Sequence, residues 1–379
     1  MAKTKIEILG PPTGYTDLLD AALLEKMKKE KADKKRWHPL RPSSAGYCSR
    51  RLAYALMEYR GYATYNVPLE KPETARLLNL GHSVEYQSIR DFQLLKDFQV
   101  KYRQQTVDLF PMKRGLPDLP EERLEGSMDL VLWSPKHKCV IDVKSKKDRF
   151  SQGFRTGWDQ ELDKLSRLDS VSPISDTALW VDDLPEFIEE LGPADWLIDN
   201  LVQLNLYATS QFLKARGVDH FVVYRYNKND SKHMEIRCRP SEEVAKKVED
   251  KFNLVNTLVD QKRVEDVPRD FFFGSMRCAF CPYSAECWGK DAQKAFFDFV
   301  DRDKTEPVQV KKDEPLAELF EQYLDDLEAA DEAADLEEQI LKAMVDNKVQ
   351  KVKLPTGEVF EAKYLKSPKP HFEVRRSKE

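Results

Sequence analysis

Three short motifs carry residues of the right type for chemistry on a phosphate. They are Gly126-Ser-Met-Asp129, then Val140-Ile-Asp142-Val143-Lys144-Ser145, then Gln203-x3-Tyr207. Hydrolysing a phosphodiester needs a Lewis acid, an activated water and relief of charge on the phosphorane. Two carboxylates on adjacent strand ends can hold Mg²⁺ or Mn²⁺, hard cations that prefer oxygen ligands and keep waters. Asp129 and Asp142 form that pair, and the backbone carbonyl of Val143 offers a third ligand. Strand side chains alternate with period two, so Lys144 shares a face with Asp142. Its ammonium can orient the attacking water and stabilise the transition state. Gln203 and Tyr207 stand four apart, on one face of a helix, where they can touch each other and a phosphate. An isolated Asp-x-Lys on a strand is usually structural; the Gly-x-x-Asp strand just before it gives the pattern its weight.

Cysteines bracket these motifs. Cys278-x2-Cys281-x5-Cys287 places three thiols close together, and Cys48, in Gly46-Tyr-Cys-Ser-Arg-Arg51, supplies a fourth from far upstream. Six cysteines in 379 residues do not make a disulfide framework, and clustered thiols in a reducing compartment more often bind metal. Four thiolates suit tetrahedral zinc or an iron–sulfur cluster, and spacing does not choose between them. Either centre would clamp the two ends of the catalytic region together. Cys139 and Cys238 fall in β-rich segments and are expected to be buried thiols.

These motifs require strands and helices in a definite order. A helix over 49–59, opened by Cys48, and one over 73–96 precede strands at 99–107, 127–133 and 139–143. Pro135 to Lys138 suits the turn between the last two. Helical periodicity returns over 196–215, with Gly217 as its stop, and a strand pair follows at 220–226 and 234–238. The order gives an α/β sandwich around a small mixed sheet, from 41 to 300. Residues 146–197 are long for a connection and carry Trp158, Trp180 and Trp196, so an ordered insertion is expected outside that core. A lysine-rich helix at 16–35 lies within an N-terminal segment, 1–40. Residues 305–379 form an appended module, an acidic helix over 315–346 followed by a β-hairpin turning at Thr356-Gly357.

The net charge of −5 looks wrong for a nucleic-acid enzyme, but residues 313–338 hold twelve Asp/Glu and no Lys/Arg. With that run at −12, the rest of the chain stands at +7, compatible with a DNA partner. Arg50, Arg51, Lys146, Lys147 and Arg149 are candidate phosphate contacts beside the motifs. Trp158 and Tyr283 are candidates for base stacking, with core packing the commoner fate of such rings. No apolar run is long enough to span a membrane, and the N-terminus lacks a signal-peptide core, so a cytoplasmic location is expected. No Walker motif is present, so any unwinding helicase or recombination protein would be a separate partner.

Over residues 41–290 the sequence resembles the RecB-like branch of the PD-(D/E)XK nuclease superfamily. The resemblance implies a restriction-endonuclease-like mixed sheet flanked by helices. It also implies a metal-dependent deoxyribonuclease, an exonuclease on DNA ends or single strands in phage or bacterial recombination. That family carries Gly-x3-His on the helix before the strands, the His being a metal ligand. Here Gly81-His82-Ser-Val-Glu85 puts Glu85 at that position, with His82 the second candidate. The four cysteines are similar in arrangement to those of the CRISPR-associated RecB-like exonucleases and the AddB nuclease, which favours a [4Fe–4S] cluster over zinc. A CRISPR adaptation nuclease trimming spacer precursors is one alternative. A catalytically inactive, cluster-stabilised DNA-binding scaffold is another, against which the intact Asp129, Asp142 and Lys144 argue.

Overall fold

A computed structural model of the chain describes residues 38–289 apart from short gaps at 66–71, 147–148, 152–153, 157, 194, 229–230, 272–274 and 280. Outside that range it describes parts of 20–29 and 308–376. The N-terminal helix is represented by Asp20, residues 22–27 and Lys29, all helical.

Two helices lead in, α1 (Ser49–Tyr59) and α2 (Pro72–Phe92). The strands that follow are β1 (Gln99–Lys101), β2 (Gln105–Met112), β3 (Glu122–Met128), β4 (Leu130–Trp133) and β5 (Lys138–Lys146). Two of the expected strands are thus each broken in two. The first breaks where Tyr102 and Gln104 take left-handed backbone conformations, with φ of 51° and 49°. The second breaks at Asp129. There the chain leaves β2, the partner of β3, and β4 pairs instead with β1 and β5. A single residue between two pairings has its side chain released from both sheets.

The segment expected to lie outside the core belongs to it. After a short hairpin of β6 (Arg149–Ser151) and β7 (Phe154–Thr156) come α3 (Trp158–Ser166), β8 (Val171–Ser175), β9 (Ala178–Val181) and α4 (Leu184–Leu191). Helices α5 (Leu197–Ala208) and α6 (Gln211–Lys214), then strands β10 (His220–Asn227) and β11 (His233–Cys238), follow. The central sheet is seven-stranded and mixed, in the order β1-β4-β5-β10-β11-β9-β8. β10 runs parallel to β5, and β9 parallel to β11. The small sheet expected from sequence is therefore extended by two strands of the insertion.

Period-two alternation divides the sheet's faces. Cys139, Ile141, Val143 and Val222 pack with Ile89 of α2 on one side. Val140, Phe221 and Val223 join Leu201 and Leu204 of α5 in the larger core. Asp142 and Lys144 share the parity of Val140 and so face α5. A further helix, α7 (Glu242–Asp260), has no counterpart in the sequence reading. Its signals are plain in retrospect. Ser241 caps it, accepting from Val244 N, and Val244, Val248, Phe252, Val255 and Val259 make a buried stripe. α8 (Met276–Ala279) carries Cys278.

The C-terminal module contains a four-stranded sheet, β12 (Val308–Gln309), β13 (Lys351–Lys353), β14 (Val359–Leu365) and β15 (His371–Arg376). The expected hairpin is β13–β14, and β12 and β15 are additions. Its turn, Thr356-Gly357, lies outside the described residues, as does the acidic helix except at Ile340, Ala343 and Met344, which are helical.

Candidate active site

The break at Asp129 and the free end of β5 meet beneath α5. β4 pairs with β5 only as far as Ile141, so the next residues of β5 keep an open edge. Asp129 reaches that edge, its Oδ2 accepting from Val143 N at 2.9 Å. A residue's N–H and C=O leave a strand on the same edge, so the Val143 carbonyl lies on Asp129's side too.

Asp142 is 3% exposed. Its Oδ2 pairs with Lys144 Nζ at 2.7 Å. Burial, the Asp142 charge and a hydrogen bond shared with Asp142 push the Asp129 carboxyl up to about 9, with Glu85 adding to the effect and Lys144 opposing it. Burial works against the charge on Lys144, but the Asp142 and Asp129 carboxylates outweigh it, and the ammonium titrates above the usual lysine value. Two carboxyl groups buried against each other, with a lysine on one of them, form a place for a cation. Among the described residues no three Asp, Glu, His or Cys side chains converge closely enough to hold an ion by themselves. The donors that fit Mg²⁺ or Mn²⁺ are thus the two aspartates and the Val143 carbonyl, with water completing the shell.

Glu85 and His82 are separated clearly. The His82 side chain is 78% exposed, Glu85 only 20%, and the two are 3.6 Å apart. Glu85 is held by Gln104 Nε2 at 2.7 Å and acts on both Asp129 and Lys144. Helix α2 comes close to the end of β5 here. A Cβ on Gly81 would stand 3.3 Å from Ser145 Oγ.

Helix α5 supplies the last two side chains. The Tyr207 hydroxyl donates to Ser127 O at 2.9 Å and is hydrogen-bonded to Gln203, while burial and the Asp142 and Asp129 charges hold it well above the usual tyrosine value. Gly126 makes the approach possible. A Cβ there would lie 2.5 Å from Pro42 Cγ and 2.7 Å from the Tyr207 hydroxyl. The glycine of Gly-x-x-Asp is therefore a packing requirement of the tyrosine on the helix above it. A clasp fixes α5 from behind. Asn205, fully buried, donates to Ser241 O and accepts from Ser241 N, both at 2.8 Å.

Cys48, Cys278, Cys281 and Cys287 line one cavity, together with Arg51, Arg269, Trp196 and Trp288. Burial and the neighbouring thiols Cys281 and Cys48 push Cys278 up to about 12. Cys281 and Cys287 are raised too, chiefly by burial, with Arg51 and Arg269 respectively pulling against it. Such thiols become thiolates when a metal takes the proton's place. Cys139 and Cys238 are buried in β5 and β11 as expected, at 6% and 0% exposure.

The chain segments bearing these cysteines are already joined by protein contacts. Ser49 N and Oγ donate to Asp270 Oδ2 at 2.8 and 2.9 Å. The Tyr283 hydroxyl donates to Glu58 at 2.7 Å, and its ring stacks on Tyr54. Arg50 is one of these struts. It is 8% exposed and donates to the carbonyls of Val267 and Glu265, each at 2.6 Å. That removes it from the candidate phosphate contacts. Arg51 lies over the Tyr47 ring at 3.8 Å. Tyr283 and Trp158 are 7% and 5% exposed, so packing, not base stacking, accounts for both. The side chains of Lys146, Lys147 and Arg149 lie outside the described residues.

No family model and no curated protein matches the sequence. Eight solved chains match in structure. One, titled "Crystal structure of SSO0001", is 15% identical, covers 72% of this chain and 96% of its own, and has a TM-score of 0.36. That degree of likeness carries no argument. No helix among the described residues is long and apolar enough to cross a membrane.

Proposed function

We propose that the chain is a Mg²⁺- or Mn²⁺-dependent deoxyribonuclease of the RecB-like PD-(D/E)XK kind, acting on DNA ends or single strands. The observation that carries the reading is Asp129 and Asp142 buried against each other, with Lys144 and Tyr207 beside them. A divalent ion held there supplies Lewis acidity toward a phosphate oxygen. The protein's own residues do the rest. Lys144, charged and a third exposed, holds the incoming water and offsets charge that develops on the phosphorane. Gln203 fixes the Tyr207 hydroxyl, which borders the same pocket. Glu85 keeps the local potential negative and so favours the cation.

The resemblance to four-cysteine RecB-like nucleases favours a [4Fe–4S] cluster over zinc at the four cysteines. A single zinc at about 2.3 Å from each sulfur would draw the thiolates onto one point. Here the four thiols line a shared cavity, and either centre would join them there. DNA is the partner this reading implies, and unwinding would fall to a separate helicase or recombination protein.

The test is cleavage of end-labelled single- and double-stranded DNA by purified protein, with Mg²⁺, with Mn²⁺ and with chelator. Metal-dependent shortening from an end is the expected result. It should vanish in Asp142→Ala and Lys144→Ala, in protein that circular dichroism shows to be folded. Full cleavage by Asp142→Ala would refute the site.

A further inference from the structure

Among the described residues, several basic side chains of the segments packed around α5 and α7 are committed to carboxylates. Lys144 is taken by Asp142, Arg277 by Asp199, and Arg60 and Arg114 by Asp260 and Glu122. Lys251 donates to the Ala45 and Tyr47 carbonyls and pairs with Asp270. Arg41 differs. It is exposed, and no ion pair engages it among the described residues.

Its backbone is nevertheless tightly held. Arg41 precedes the 3-10 turn Pro42–Ser44, whose Ser44 hydroxyl accepts from Arg41 N at 3.1 Å and donates to Pro39 O at 2.7 Å. Ser44 and Pro42 are buried, and Pro42 shares with Tyr207 the small space above Gly126. The turn is thus packed against the strand that ends in Asp129 and the helix that carries Gln203 and Tyr207. The Arg41 charge acts on the Tyr207 hydroxyl, as do the charges of Asp142 and Asp129. A rigid base with a free cation, next to a site rich in carboxylates, is a preorganised anion holder.

We propose that Arg41 is a substrate-binding residue that grips the non-bridging oxygens of a nucleic-acid phosphodiester beside the acid pair. The inference rests on reading the site as phosphodiester-cleaving, and deepens it. Asp129, Asp142 and Glu85 would repel a phosphate, and Lys144 and a divalent ion only partly offset them. The planar guanidinium adds a positive charge and two parallel N–H donors matched to two phosphate oxygens. Because this contact exists before and during reaction, it acts mainly on binding.

The experiment compares wild type, Arg41→Gln and Arg41→Lys in the full chain, with Arg123→Gln as a control. Arg123 is 70% exposed and paired with Asp108. Binding of a labelled single-stranded oligonucleotide is followed by anisotropy across a salt series, in an Asp142→Asn background that does not cleave. Arg41→Gln should weaken binding about tenfold and lower the salt slope by about 0.7, one phosphate contact on a single strand. Arg41→Lys should keep the slope but not the full affinity. In the active background Arg41→Gln should raise KM about tenfold, with kcat changed far less. The melting temperature should not move. A wild type that cleaves DNA, with Arg41→Gln unchanged in affinity, slope and KM, overturns this inference alone. A wild type that neither binds nor cleaves overturns the functional reading and this inference with it.

Discussion

Asp129→Asn should make the metal-free protein more stable while abolishing its activity. Asp129 stands at about 9 because it is buried beside Asp142, whereas in the unfolded chain it has the ordinary value near 3.9. Between those values the folded state holds a proton that the unfolded state has released. Stability therefore falls as pH rises through this window, and is unaffected by this group below the unfolded value. The limiting slope is about 1.4 kcal/mol per pH unit for one proton. Over the roughly three units from the unfolded value to neutral pH the penalty is bounded at about 4 kcal/mol. Relaxation around the buried carboxyl and the pull of Lys144 should reduce it to about 1–3 kcal/mol. The assay is denaturant unfolding in chelator at about pH 5.5, 7 and 8.5, wild type against Asp129→Asn, so that the histidines cancel. The difference should widen with pH in favour of Asn. Excess Mn²⁺ should stabilise the wild type in proportion to the logarithm of its concentration and leave the variant unmoved. An Asn variant that is less stable at every pH, with no change of slope, would refute the buried acid pair.

Glu85→Ala should depress Mg²⁺-supported cleavage more than His82→Ala, since Glu85 faces the acids and His82 faces solvent; kcat/KM at several Mg²⁺ concentrations decides it. Anaerobically purified protein should be brown, and Ser at Cys48, Cys278, Cys281 or Cys287 should bleach it while Cys139→Ser and Cys238→Ser do not. A colourless protein with one stoichiometric zinc would overturn the cluster assignment. Asn205→Leu should cost about 1–3 kcal/mol in denaturant unfolding, because it leaves the part-buried Ser241 N–H and C=O without their Asn205 partners. Gly126→Ala should lower kcat and also raise KM, its methyl group displacing both Tyr207 and the Pro42 turn that carries Arg41.

The parts of this architecture that sequence revealed are those in which a local pattern determines the outcome. α1 has the expected bounds, and the parity that puts Asp142 with Lys144 holds because a strand has no other choice. Three features escaped because they depend on distant partners. The break at Asp129 occurs where one stretch of chain changes pairing partners, and nothing in Ser127 to Trp133 announces it. The insertion joined the sheet because β11 had an open edge for β9 to pair with, and an open edge is a property of the assembled sheet. The fate of Arg50 is similar. Beside a cysteine and another arginine it reads as surface charge, yet carbonyls more than two hundred residues away claim it. α7 is a different case, for its cap and apolar stripe were present in the sequence.

Helix α5 connects the two centres. At its first turn Asp199 accepts from Arg277 at 2.8 Å, one residue before Cys278. The same aspartate lies so close to Gly46 that a Cβ there would stand 2.9 Å from its Cα; Gly46 is two residues before Cys48. Both cysteine segments are thus referred to one helix end. Eight residues later, about 12 Å along the axis, Tyr207 touches the strand that presents Asp129. The segments are held together by hydrogen bonds and rings that need no metal, so a clamp is not what a cluster would chiefly add. Its more specific effect would be on the angle at which α1 and α8 meet the start of α5. The Asn205–Ser241 clasp and the Gly126 contact fix the other end of that helix, so one rigid element carries Asp199 at the cysteine segments and Gln203 and Tyr207 at the acid pair.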